Sequence, residues 1–277
     1  MEKITEQTRA IQVVETEMLK VFVSICQQLN LKYYLWGGTL LGAVRHSGFI
    51  PWDDDIDVCM PRKDFERFTK EAQALLPEHL FLQTYKTDPE FPHVFAKIRN
   101  SNTTFLEKAV KERKMNHGIF IDIFPLDEYS EKQKNALSTK IREKLIESRL
   151  SYLISDDVLS ARVKAVRVIS KAFYPTVRSA QEAKEALHKS YRGPQQLANY
   201  SGIGGNRDVA PAEWYQESTE IMFEGIKANA PAEYHKVLTK QYGNYMQLPP
   251  VEKRVTHHFT DTIDTEKSYC QYTQNEE

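Results

Sequence analysis

The chain has 277 residues, 41% of them hydrophobic and 27% charged, and its formal net charge is −1. That length suits one large domain or two small ones, and the near-neutral balance excludes a global attraction to nucleic acid or to anionic membrane. Cys26, Cys59 and Cys270 are odd in number and far apart, which excludes a disulfide framework or zinc knuckle and points to a reducing, cytoplasmic home.

The opening "MEKITEQTRA" is polar and mixed in charge, unlike a signal peptide. No apolar run approaches the roughly 20 residues of a bilayer-spanning helix. Ile4, Ile11, Val14, Met18, Val21, Phe22, Ile25 and Leu29 recur at three- and four-residue steps, predicting an amphipathic helix over 3–30 with Asn30 as its stop. "KYYLW" (32–36) reads as a strand broken by Gly37 and Gly38, after which Thr39 is placed to cap a short helix reaching about Arg45. "SGFIPW" is a loop and "DIDVCM" (55–60) a strand. A helix follows from Pro61 to about Leu76, then strands at 80–85, 93–99, 103–107 and 117–127, the last interrupted by one charge, Asp122.

From 131 to 200 the pattern turns helical, and positions 141–192 hold eleven Lys/Arg against six Asp/Glu. Residues 201–215 form a glycine-containing loop, a short helix precedes "YGNYM", and the polar tail, residues 266–277, reads as disordered. The division expected is a catalytic core at 1–130 and a helical region at 131–265 that completes the site. This is an α+β arrangement with a mixed sheet flanked by helices and a mostly helical C-terminal half.

The chemistry concentrates in "GGTLLGAVRHSGFIPWDDDIDVCM", which sets Asp53, Asp54, Asp55 and Asp57 just before a strand. Side chains two apart on a strand share a face with Cα atoms about 6.6 Å apart, so Asp55 and Asp57 can hold one cation between them. Asp53 has the same parity but lies in the loop, and Asp54 points elsewhere. Oxygen-only ligands select Mg²⁺ or Mn²⁺. Asp122, flanked by "GIFI" and "IFP", is the third candidate ligand, because an unpaired charge there carries a large desolvation cost. The bland alternatives are a solvated acidic turn and an Asp122 that caps a helix or pairs with an arginine; the ordered combination argues against them. Gly37 and Gly38 allow a ligand close to the backbone, and a helix opening at Thr39 offers N–H groups to phosphate. The layout suits phosphoryl-type transfer, which needs positioning and charge neutralisation.

The blocks "GGTLLGAVRHSGFIPWDDDIDV", "GIFIDIFPLD", "FEG", "YGNYMQLPP" and "EKRVTHH" resemble the LicD family, spanning Gly37 to His258 in the expected order. The resemblance implies a nucleotidyltransferase-like fold, with Gly37, Gly38 and Thr39 as the turn and Asp55, Asp57 and Asp122 as the carboxylates that would hold two divalent ions. It implies transfer of phosphocholine or a related alcohol phosphate from a CDP-activated donor, CDP-choline or a CDP-alditol, to a sugar hydroxyl. The acceptor would be a lipid-linked glycan, lipopolysaccharide or teichoic acid precursor of a bacterial surface. Two alternatives stay open: transfer of the nucleoside monophosphate itself, and a non-catalytic metal- or nucleotide-binding module.

Supporting candidates each have a plain structural reading. Arg45 suits a phosphate clamp or a surface ion pair. Lys97 and Arg99 share a strand face and can neutralise a pyrophosphate or merely be solvated. Asp54 can orient a ligand or deprotonate the acceptor. Trp52 can stack on a base or a choline headgroup or anchor the loop. His257 and His258 are an acid/base candidate pair, and Glu224 can fix a substrate hydroxyl or join an ion pair. Tyr242, Tyr245 and Met246 read as packing. Over 162–178 an amphipathic helix with Val166, Ile169 and Phe173 opposite Lys164, Arg167 and Lys171 suits peripheral contact with the inner membrane face or simple core cover.

Overall fold

The computed structural model describes residues 5–151, 161–202, 204–256 and 258–273. Helix α1 (Glu6–Gln28) begins where the Thr5 hydroxyl accepts the Thr8 N–H and gives way to Asn30, whose φ of 49° departs from right-handed geometry. Its stripe buries Ile11, Met18, Leu19, Phe22 and Ile25. Strand β1 (Tyr34–Leu35), helix α2 (Gly37–His46), strand β2 (Asp57–Pro61) and helix α3 (Arg62–Glu71) follow. Helix α2 starts earlier than a Thr39 cap requires. Trp36 precedes it without a side-chain cap, and the Thr39 hydroxyl instead accepts the backbone N–H of Asp57 at 2.8 Å. A side chain at Gly42 would overlap the Gly48 carbonyl, so only a glycine lets α2 touch the loop leading to the aspartates.

Strands β3 (Leu80–Gln83), β4 (Ala96–Asn100), β5 (Thr104–Glu107) and β6 (Ile119–Glu128) come next. The main sheet runs in the order β1-β2-β6-β4-β3. Strands β2 and β6 are parallel, so the intervening α3, β3, β4 and β5 make the crossover that such a pair needs. Alternation splits this sheet into two faces. One carries Val58, Met60, Ile98, Ile121 and Ile123, all fully buried, and α1 and α3 pack against β6. The other carries Asp57, Asp122 and Lys97 side by side, because Asp57 pairs with Asp122 and Asp122 with Lys97 in register.

Helices α4 (Glu131–Asn135), α5 (Leu137–Leu150), α6 (Ala161–Phe173) and α7 (Val177–Ser190) form the helical stretch, with a small core of Ile146, Leu150, Ala180, Leu187 and Tyr191. The helical pattern expected to reach 200 stops at Ser190, before Gly193 and Pro194. Strand β7 (Gln196–Ala198) then pairs with the end of β6 and with β8 (Val209–Pro211). A hairpin of β9 (Ser218–Phe223) and β10 (Ile226–Pro231), helix α8 (Tyr234–Tyr242), strand β11 (Thr260–Asp264) and helix α9 (Cys270–Thr273) complete the described chain. The class is α+β as expected, but strands return after the helices. Strand β11 pairs with β5, so strand pairing crosses residue 130 in two places. Residues 266–273, expected to be disordered, dock instead: the Thr104 hydroxyl donates to the Lys267 carbonyl at 2.8 Å and the Tyr269 N–H to the Thr103 carbonyl at 3.0 Å. Polar composition misled there because these contacts are made by backbone and hydroxyl groups.

Arg62 locks α3 to β6 through a fork onto Asp127, with Nε–Oδ1 at 2.7 Å and Nη2–Oδ2 at 2.6 Å, and the Asp127 side chain is 3% exposed. Arg62→Ala strands that carboxylate in the interior and should destabilise the fold by about 3 kcal/mol. Urea unfolding should show a lower midpoint at unchanged slope; a midpoint equal to the parent's would refute the role given to the fork.

Candidate active site

A cavity of about 530 Å³ lies against the polar face of the sheet, lined by Gly37, Gly38, Trp52, Asp53, Asp55, Asp57, Lys97 and Asp122 among others. Residues 55, 57 and 122 thus meet in one place. The parallel register brings Asp57 and Asp122 together, since paired residues on neighbouring strands point to the same side about 4.8 Å apart. The loop brings the others: Asp53, Asp54 and Asp55 offer oxygens within 4.8 Å of one another. The glycine pair makes room for them. Gly37 has φ +53°, and a Cβ there would lie 3.2 Å from Asp57 Oδ2, while one on Gly38 would lie 2.6 Å from Asp53 Oδ2. Two carboxylates therefore stand at the N-terminal end of α2, where the helix dipole favours negative charge.

Burial, reinforced by neighbouring carboxylates, holds Asp53 and Asp57 well above the usual carboxylate range. Asp122 is raised by burial as well, although Lys97 partly opposes this with Nζ 3.0 Å from Asp122 Oδ1. Lys97 is 3% exposed and its ammonium sits 3.3 Å from the Phe120 ring centre. A set of crowded, oxygen-only donors whose charges oppose one another fits a hard divalent cation, which removes the repulsion and leaves the acids ionised. Asp53 joins this set although its loop position argued otherwise.

Asp54 is not among the residues lining the cavity; it accepts from His258 Nδ1 at 3.1 Å, while His258 Nε2 lies 4.0 Å from Asp55 Oδ2. Burial opposes a charged imidazole here, but the bond to Asp54 and the charge of Asp55 outweigh it and raise the His258 pKa. Phe105 and Phe120 hold the ring edge-on. His257 lies outside the described residues.

Four other candidates are occupied elsewhere. The Arg99 side chain is fully buried, donating to Gln83 Oε1 and the Gly118 carbonyl at 2.8 Å each and to Glu107 at 3.3 Å. It shares the face of Lys97 but serves the interior. Thr39 supports the Asp57 backbone instead of facing the cavity. Arg45 donates to the Tyr245 carbonyl at 3.1 Å and to His46 at 2.9 Å. Glu224 sits in the β9–β10 turn at φ 48° and binds Arg9 at 2.8 Å and the Phe49 N–H at 3.3 Å, tying the hairpin to α1. Trp52 does line the cavity, with the Arg254 guanidinium 5.6 Å from its ring centre.

Other groups were not foreseen. Glu15 is 1% exposed on α1, and burial followed by Asp55, Asp54 and Asp53 raises its pKa well above the ordinary value. A carboxyl within the apolar stripe of Ile11, Met18, Leu19 and Phe22 is the signal that would have found it. Tyr242, read as packing, lines the cavity, where burial and Asp57 raise its hydroxyl pKa. The segment 199–208 supplies a further wall through Asn199, Ser201, Gly202, Gly204, Arg207 and Asp208.

Residues 30–154 match the family model described as LicD/FKTN/FKRP, nucleotidyltransferase domain. The chain is 30% identical over 270 residues to the lipopolysaccharide cholinephosphotransferase LicD of Haemophilus influenzae, covering 94% of this chain and 98% of that protein. It is 43% identical over 79 residues to the human ribitol 5-phosphate transferase FKRP, covering 27% of this chain and 16% of that one. An uncharacterized protein of Rickettsia prowazekii is 31% identical over 115 residues, or 42% of this chain and 40% of its own. The near end-to-end match to the Haemophilus protein, carried on a fold that gathers the motif acids, places this chain in the LicD family.

Proposed function

We propose that this protein transfers a substituted phosphate, phosphocholine or an alditol phosphate, from a CDP-activated donor to a sugar hydroxyl of a surface-glycan precursor. The chain is a transferase: its relatives are named for cholinephosphate and ribitol 5-phosphate transfer. The observation that carries the finer reading is the row of Asp57, Asp122 and Lys97 beside the glycine pair that opens α2. Asp53, Asp55, Asp57 and Asp122 would hold Mg²⁺ or Mn²⁺, two ions on this reading, which supply neutralisation of the donor's pyrophosphate. The N–H groups at the start of α2 and the Lys97 ammonium bind phosphate oxygens and orient the donor. Asp54 holds His258 by Nδ1, leaving Nε2 to take the proton of the acceptor hydroxyl. The acceptor oxygen forms a bond to the phosphorus of the alcohol phosphate, the bond from that phosphorus to the bridging oxygen breaks, and CMP leaves.

Asp55→Asn with Asp57→Asn should lower transfer about a hundredfold or more and abolish the rise in melting temperature that Mn²⁺ gives the parent protein. Parent protein given CDP-choline or CDP-ribitol and a glycan acceptor should release CMP; pyrophosphate release or a nucleotidylated acceptor would assign the reaction to nucleotidyl transfer instead. Activity in the double variant equal to the parent's would refute the metal role given to these aspartates, and a parent that binds the donor but turns over none of it would leave only a binding role.

A lipid-linked acceptor implies access to a membrane surface. No helix among the described residues is long and apolar enough to cross a bilayer. On α6, however, Val168, Ile169 and Phe173 are 70%, 50% and 67% exposed beside Lys171, which supports a peripheral contact. Among the described side chains of α6, Val168, Ile169 and Phe173 are exposed and Ser170 is buried, so the Ile169–Phe173 side is not the packed one. The protein should float with acidic liposomes, and Ile169→Glu with Phe173→Glu should remove it from them; equal flotation of both forms would end this assignment.

A further inference from the structure

The loop that delivers the aspartates is gripped by one continuous chain of hydrogen bonds that starts on α1. Gln12 is fully buried there, and its Nε2 donates to the Asp53 carbonyl at 2.9 Å. Its Oε1 accepts from Arg9 Nη1 at 3.1 Å, and Arg9 Nη2 donates to Glu224 Oε2 at 2.8 Å. The other oxygen of that carboxylate, Oε1, accepts the Phe49 N–H at 3.3 Å, while the Glu224 N–H donates to the Ser47 carbonyl at 3.0 Å. The loop is therefore held at Ser47, Phe49 and Asp53, from the end of α2 to the first aspartate. Gly48 belongs to the same arrangement, because a Cβ there would overlap Glu224 Oε1. Asp53 is held at its other polar groups too. Its N–H donates to the Ile50 carbonyl at 2.9 Å, and its Oδ2 lies so near the start of α2 that a Cβ on Gly38 would be 2.6 Å away. Gln12 supplies the partner for the remaining backbone group, a carbonyl inside the protein.

Asp53, Asp54 and Asp55 offer oxygens within 4.8 Å of one another, and without a cation their mutual repulsion drives the loop outward. An anchor on the 23-residue helix α1 opposes that movement and keeps the oxygens where a cation would meet them. Gln12 is not among the residues lining the cavity, so it acts through the loop backbone alone. We infer that Gln12 is a positioning residue for Asp53. Together with Arg9 and Glu224 it forms one clamp that holds the acidic loop in its cation-ready form before any ion arrives. The inference rests on the reading of the aspartates as a divalent-cation site, and it assigns the geometry of that site to a helix that contributes no ligand.

Amide hydrogen exchange on the metal-free protein and calorimetric titration with Mn²⁺ test it together. Gln12→Met keeps the volume and removes both polar ends of the side chain. Exchange at the Phe49 and Asp53 amides should quicken about tenfold, and Mn²⁺ should bind about tenfold more weakly. The Arg9 side chain is 46% exposed, so Arg9→Met cuts the chain at its surface link and decides the matter if the Gln12 variant does not fold. It should weaken Mn²⁺ about threefold, and Arg9→Lys, which keeps a cationic donor, should recover most of that loss. The double variant should bind Mn²⁺ no more weakly than Gln12→Met alone, because both cuts fall on one chain. A merely structural role would lower the melting temperature and leave exchange and Mn²⁺ affinity at the parent's values. That result, or losses that add in the double variant, would overturn the clamp. Quickened exchange in variants of a parent that binds no Mn²⁺ would sustain the hold on the loop and sink the cation site, so the two failures are distinguishable.

Discussion

The structure turns on one pairing, β2 beside β6 in parallel with Asp57 opposite Asp122. Two carboxylates at adjacent positions of an inner sheet face repel each other and lose hydration, which an isolated fold would avoid. Here the arrangement is sustained by Lys97 on the next strand and by a glycine-opened helix end that accepts charge. The ammonium and the helix end that make the acids tolerable are both groups that favour negative charge. Stability and function draw on one electrostatic problem.

How much of this was legible depends on whether a signal was local. The isolated Asp122 and the glycine pair were readable because a charge in an apolar run and a paired glycine are properties of a few neighbouring residues; the strand expected from Asp55 begins only at Asp57, so Asp55 comes from the loop and not by alternation. The roles of Arg99 and Glu224 were not. Alternation put Arg99 on the face of Lys97, but only the approach of Gln83, Gly118 and Glu107 from other elements decides that its guanidinium is enclosed. Glu224 is met by Arg9, 215 positions away, a distance no periodicity reports. Thr39 shows a milder version: the hydroxyl is used, but by the next strand and not by its own helix.

The helical reading of 131–200 succeeded where an amphipathic stripe covers a small core and failed at its end. There, strand β7 is created by the edge of β6 and not by its own three residues. That failure hid the segment 199–208, whose glycines looked like an ordinary loop. In the fold they are the points at which Asp208 and Asn199 accept backbone N–H groups. One wall of the cavity is thus built by the sheet with its aspartates and Lys97, and another by a loop that carries Asn199, Ser201, Arg207 and Asp208.

The antiparallel union of β11 with β5 reaches beyond those two strands. His258 stands two positions ahead of β11, and its partner Asp54 lies 204 positions upstream. The pairing of residues 260–264 with β5 is what brings this imidazole beside the carboxylate. A break in the chain between β6 and β11 would leave Asp57 and Asp122 in register but remove the partner that holds Asp54, so β11 ties the acidic loop to a segment far along the chain.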